Sequence, residues 1–148
     1  MSAVTLDHFT INVAELDRST RFYSEGLGFD FVEEHVVGDE GAGPVLLEPP
    51  YRVRSRHLLG GGIRLILNLT EIPEDPLPAY RRGLGLTNFA VRVPDLEQSR
   101  SRLESLGGRP VETSRASFPF HGRVVEVIVV LDPDGVPIEL VEGPAEGP

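Results

Sequence analysis

The chain contains one pattern twice. Leu6-Asp7-His8-Phe9-Thr10-Ile11-Asn12-Val13 aligns without a gap on Leu86-Thr87-Asn88-Phe89-Ala90-Val91-Arg92-Val93, an offset of 80 positions. The match continues, with Glu15-Leu16-Asp17-Arg18-Ser19 facing Asp95-Leu96-Glu97-Gln98-Ser99. Each copy then reaches a glycine turn, Gly26-Leu27-Gly28 or Leu106-Gly107-Gly108. A second pair of words closes the copies: Leu67-Asn68-Leu69-Thr70-Glu71 and Ile138-Glu139-Leu140-Val141-Glu142, offset by 71. Self-similarity of this kind means one supersecondary unit built twice. In 148 residues it predicts a single domain, 1–148, of two modules at about 4–71 and 84–142, with a Pro-rich linker over 72–83.

Each module reads strand, helix, then three strands. Residues 6–13 and 86–93 are apolar at odd positions and mixed at even ones, the period of a strand with one buried face. Residues 15–25 carry Leu16, Phe22 and Tyr23 at helical spacing, and 95–106 carry Leu96, Leu103 and Leu106. Pro94 and the acid after it suit a helix start. Strands are expected at 29–37, 53–59, 63–70, 109–112, 124–131 and 136–141. Asp132-Pro133-Asp134-Gly135 is a turn between the last two. The stretch 38–50 reads as a long loop and 143–148 as a frayed tail. The fold class is therefore α+β, with two tandem βαβββ modules.

Alternation also divides the side chains between sheet faces. One face takes Phe9, Ile11 and Val13 with their counterparts Phe89, Val91 and Val93, and Ile63, Leu65, Leu67 and Leu69. In the later strands it takes Val125, Val127, Val129 and Leu131, then Ile138 and Leu140. The opposite, mixed face then holds His8, Arg64, Asn68, Asn88, Arg92, Glu126 and Glu139. Glu126 stands in an otherwise apolar run, where partial desolvation would raise its pKa and suit it to general acid/base work. The alternative is a glutamate paired with Arg92 or Arg64. His57 is a further candidate, on a strand whose alternation is irregular. His35 and His121 read as loop or surface histidines.

The doubled pattern and its local words resemble the vicinal oxygen chelate superfamily of glyoxalases, bleomycin-resistance proteins and extradiol dioxygenases. The words are Leu6-Asp7-His8-Phe9, Arg21-Phe22-Tyr23-Ser24-Glu25-Gly26-Leu27-Gly28-Phe29 and Asp132-Pro133-Asp134-Gly135-Val136-Pro137-Ile138-Glu139-Leu140. The resemblance implies a mixed sheet curled into a cup, helices on its outer face, and a homodimer. It also implies metal ligands on the first and last strand of each module, at His8, Asn68, Asn88 and Glu139. His8 and Glu139 fit that pattern. Asn88 stands where a second histidine is usual, and Asn68 is a weak neutral donor.

Two readings follow from this donor set. In one, a divalent metal (Mg, Mn, Fe, Ni or Zn, not distinguished by the residues) rests on His8 and Glu139, helped by Asn68 and Asn88. In the other no metal is bound, and the same polar cluster meets substrate directly. The expected activity is that of a small-molecule enzyme of isomerase, epimerase, lyase or oxygenase type. It would act on an anionic or oxygen-rich metabolite through enolate or oxyanion stabilisation. Glu139, Glu126 and His8 are its catalytic candidates. Arg64, Arg92, Asn68, Asn88 and His57 are its substrate-binding candidates, the arginines as guanidinium forks for an anion. The alternative is a metal-free metabolite- or drug-binding protein of the bleomycin-resistance kind.

Composition removes other chemistries. The 148 residues hold no cysteine, which excludes disulfides, thiolate nucleophiles and cysteine-ligated zinc. All 14 basic residues are arginine, so there is no Schiff-base or P-loop lysine. A formal net charge of −9 opposes nucleic-acid and anionic-membrane partners. The N-terminal residues show no cationic-then-apolar leader pattern, and no apolar run approaches the length of a membrane span. The expected location is cytoplasmic and the expected partner a small molecule.

Overall fold

The computed structural model describes residues 3–69 and 86–143. The repeat words at Thr70 and Glu71, the linker at 72–83 and the tail beyond Gly143 lie outside them. The chain falls into two units, Met1–Glu74 and Asp75–Pro148.

In the first unit, β1 (His8–Val13) leads into α1 (Leu16–Arg21), which widens into a π-helical turn over Phe22–Gly26. β2 (Asp30–Val37), β3 (Val53–Gly60) and β4 (Ile63–Leu69) follow. The sheet order is β1-β4-β3-β2, with β1 and β4 parallel and the other pairs antiparallel. In the second unit β5 (Phe89–Val93), α2 (Leu96–Ser105), β6 (Arg109–Phe120), β7 (Arg123–Leu131) and β8 (Pro137–Glu142) repeat the arrangement. Its order is β5-β8-β7-β6, again with one parallel pair, β5 and β8. Two tandem βαβββ modules of α+β class are what the repeat predicts. The stretch expected as a long loop carries two short 3₁₀ turns, Asp39–Gly41 and Gly43–Val45.

Each helix packs on one face of its own sheet. Phe22 and Tyr23 are fully buried, with Tyr23 edge-on to both Phe22 and Phe29. They stand over a sheet face made by Ile11, Val13, Leu58, Leu65 and Leu67, all buried. Burying a large side chain of this kind contributes about 1.5–3 kcal/mol. α2 starts at Asp95, whose Oδ1 accepts from the Gln98 backbone N–H at 2.8 Å, and buries Leu96 and Leu103. The Asp-Pro-Asp-Gly turn is held from inside. Asp132 is buried, and its Oδ1 accepts from the backbone N–H groups of Asp134 at 2.9 Å and Val136 at 2.8 Å. Gly135 supplies a φ of 92°, which favours glycine.

Two strands differ from expectation. β6 runs on to Phe120 instead of ending near Glu112. Its register breaks between Val111 and Ala116, and there the Ser114 hydroxyl accepts from the Val129 N–H at 2.8 Å. A side chain thus replaces a missing ladder carbonyl, so the strand resumes past its irregularity. β7 has the opposite parity to the one expected. Ile128 pairs with Leu140 and Val129 with Glu139, so the even residues share the helix-packed face with Ile138 and Leu140. Ile128 and Val130 are fully buried, while Val129 is half-buried beside Glu139. The run is apolar at odd and even positions alike, and alternation therefore carries no information about its faces.

Candidate functional site

The register of the first sheet assembles a polar face from four strands. His8 pairs with Arg64, and Arg64 with Leu59. One row along, Thr10, Ile66, His57 and Glu33 stand side by side, and the next row is Asn12, Asn68, Ser55 and His35. Residues paired across a ladder point the same way, so all these side chains share the face turned away from α1. His8, Arg64 and Asn68 share one surface, in line with their alternation, and His57, whose strand alternation leaves its face open, joins them there.

Arg64 Nη1 lies 3.0 Å from His57 Nδ1. A guanidinium only donates, so Nδ1 is the accepting nitrogen and the imidazole is neutral with its proton on Nε2. Burial holds the His57 pKa below its ordinary value of 6.5, and the nearby His35 and Arg64 add to that, while Glu33 opposes it. Glu33 Oε1 is 3.2 Å from His35 Nε2, 3.8 Å from His57 Nδ1 and 3.6 Å from Arg64 Nη1. The His35 and His57 rings meet edge to face at 5.1 Å. Contact with His35 holds the Glu33 carboxyl below the usual range. At the end of the face, His8 Nδ1 contacts Asp7 Oδ2 at 2.6 Å, which depresses the Asp7 pKa and leaves Nε2 of His8 for other partners.

Glu33 and His35 were not among the expected site residues. Their place depends on a bulge between Phe31 and Glu33. A regular ladder continued from the Phe31–Leu58 pair would set Val32 opposite His57 and Glu33 opposite Arg56. The extra residue turns Glu33 and His35 toward His57 instead, a re-aiming that period-two reading cannot anticipate. On the helix side, Glu34 accepts from Arg54 Nη2 at 2.9 Å and Arg56 Nε at 2.6 Å, and Arg56 Nη1 reaches Asp17 at 2.7 Å. The depression lined by Asp17, Arg54 and Arg56 lies on that helix side, where these charges are mutually paired.

In the second unit, Glu139 shares its row with Ala90 and Val129, and Arg92 shares the adjacent open-face row with Val141 and Val127. Asn88, just before β5, donates from Nδ2 to Glu139 Oε2 at 3.2 Å. Asn88 and Glu139 are thus tied together, and Arg92 lies on the same open face of the adjacent strand β5. Glu126 is a correction. It belongs to the helix-packed face with Ile128 and Val130, opposite Glu139 and Arg92, and pairs with Ser117 of β6. His121 sits in the turn between β6 and β7 with a φ of 48°, as a loop histidine.

The four positions to which the resemblance assigns metal ligands can be tested on their own bonding. Asn68 is buried, and its Oδ1 accepts from Ser55 Oγ at 2.6 Å. Asn88 turns an N–H, which cannot ligate, toward Glu139. His8 Nε2 and the Glu139 carboxylate are the strong donors of the set. The two asparagines add only neutral amide oxygens, of which Asn68 Oδ1 already accepts from Ser55.

The family model of the Glyoxalase/Bleomycin resistance protein/Dioxygenase superfamily matches residues 5–140. The chain belongs to this superfamily. Among curated proteins, a probable chloroplastic lactoylglutathione lyase of Arabidopsis thaliana is 27% identical over 95% of this chain and 37% of its own length. The chain thus spans well under half of that plant relative. A probable lactoylglutathione lyase of Vibrio parahaemolyticus is 25% identical over 96% of this chain and 93% of its own. Among solved structures, a glyoxalase family protein from Bacillus cereus superposes with a TM-score of 0.74. It is 22% identical, with 96% of this chain and 95% of that one covered, and so bears on the fold alone. Among the described residues, no helix is long and apolar enough to cross a membrane.

Proposed function

We propose that the chain is a small-molecule enzyme of lyase or isomerase type acting on an anionic or oxygen-rich metabolite. The observation that carries this reading is Arg64, whose guanidinium lies on the open face against a neutral imidazole. The same Nη1 lies 3.6 Å from Glu33 Oε1, and the other N–H groups of the guanidinium can meet a carboxylate or a developing enolate oxygen. In this reading the first unit offers Arg64 to hold an anion and His8 to polarise an oxygen, and the second offers Arg92 for an anion and Glu139 to move a proton, each on its own open face. Asn68, Asn88 and His57 position these groups. No step passes through a metal at His8 and Glu139. The names of the curated relatives support a lyase as the first activity to assay. The same reading includes self-association as a homodimer.

A second reading, a metabolite-binding protein without turnover, is favoured by the amide of Asn88 occupying Glu139. One experiment separates the two. The full chain is incubated in D₂O with methylglyoxal plus glutathione, and with a panel of 2-oxo and 2-hydroxy acids. Product and deuterium incorporation are followed by NMR. The enzyme reading expects turnover that Glu139→Gln lowers by roughly 100-fold or more, as befits loss of a general acid/base. Saturable binding without exchange, unchanged by Glu139→Gln, would overturn it in favour of the second.

A further inference from the structure

The cluster of Glu33, His35 and His57 lies on β2 and β3, away from the strands to which the family resemblance assigns ligands. One ligand atom from each lies within 4.8 Å of the other two. Adjacent ligands on a single ion at about 2.0–2.2 Å stand roughly 3–3.5 Å apart. The observed separations of 3.2 Å and 3.8 Å from Glu33 Oε1 are already near that value. Two further observations point the same way. The bulge before Glu33 sets the carboxylate and His35 on the face of His57, where a regular strand would have set Val32 and Glu34. His57 also presents Nδ1 as a lone pair, the form that ligates, because a guanidinium is already donating to it. Arg64 Nη1 lies within 3.6 Å of Glu33 as well, so a cation already occupies the mouth of this donor set.

We propose that Glu33, His35 and His57 form a binding site for a divalent transition-metal ion, with Arg64 as the resident cation that the ion displaces. Two imidazoles and one carboxylate favour Zn²⁺, Ni²⁺ or Co²⁺ over Mg²⁺ or Ca²⁺, which prefer oxygen donors. Three protein ligands leave at least one position for water or an anion. The site does not depend on the enzyme reading above.

Zn²⁺ titration of the full chain, stripped of metal, tests it by calorimetry and by NMR of the imidazole rings. One ion per chain should perturb His35 and His57 and leave His121 as an internal reference. His35→Ala and His57→Ala should each weaken binding at least about tenfold. Glu33→Gln, which keeps the side chain's size, should do likewise. Arg64→Gln should strengthen binding by removing the competing charge. Equal affinity in the His35/His57 double variant, or weaker binding in Arg64→Gln, would overturn the proposal. So would ring shifts confined to His8.

Discussion

At the scale of single residues, the chemistry of the open face turns on His57. Its folded pKa is depressed, chiefly by burial, so the neutral form is the one the fold favours. The unfolded chain takes up the proton more readily near the ordinary value of 6.5. The stabilising contribution is therefore present above that pH and is lost as pH falls through the lower folded value. An NMR pH titration should place the His57 midpoint below 6.5. In Arg64→Gln the midpoint should rise, because one repelling cation is gone, yet stay below 6.5 because burial is the larger cause. A His57 midpoint indifferent to Arg64 would mean the two groups are not in contact in solution. Glu139 belongs to this scale too: Asn88 donates to its Oε2, and under the proposed function the carboxylate is the group that moves a proton.

Elements decide what those residues can reach. The π-helical turn after α1 and the start of β2 place Phe29 against Gly60 at the end of β3. A Cβ on Gly60 would stand 2.9 Å from the Phe29 ring and 3.2 Å from its Cα. The backbone contact leaves little room to yield, so Gly60→Ala should cost about 1–3 kcal/mol, the range of overpacked sites. Urea unfolding would measure it, and a variant as stable as the parent would show that the β2–β3 end can open without cost. The same element carries the bulge that aims Glu33 and His35, so shifts at Gly60 should also appear in the His35 ring resonances.

Over the whole molecule, each unit carries one helix and one four-stranded sheet of the same strand order, and edge strands end each sheet. β2 is an edge of the first, and its Phe31, Val32 and Val36 are 53%, 45% and 53% exposed. Unpaired edges with apolar side chains invite pairing with another chain. The proposed homodimer should sediment at twice the 16.2 kDa of the chain. A monomer mass at the concentrations used for the assays would remove self-association from the reading.

Much of this architecture was legible in the sequence. The repeat at offset 80 sets the module order, because local words of the same apolar and polar pattern favour the same local structure. Alternation in β1 and β4 placed His8, Arg64 and Asn68 on one face, because those strands have a polar side to read. The face of Glu126 is not legible in the sequence, because β7 is apolar on both sides and has no polar side to count from. Glu33 and His35 were out of reach for a different reason: a single extra residue reverses the parity of half a strand, and local sequence does not say where the ladder slips. The sequence by itself determined composition, duplication and the residue types available for chemistry, since these depend on near neighbours in the chain. Only the tertiary structure decided which of them meet, because register is a property of two strands together.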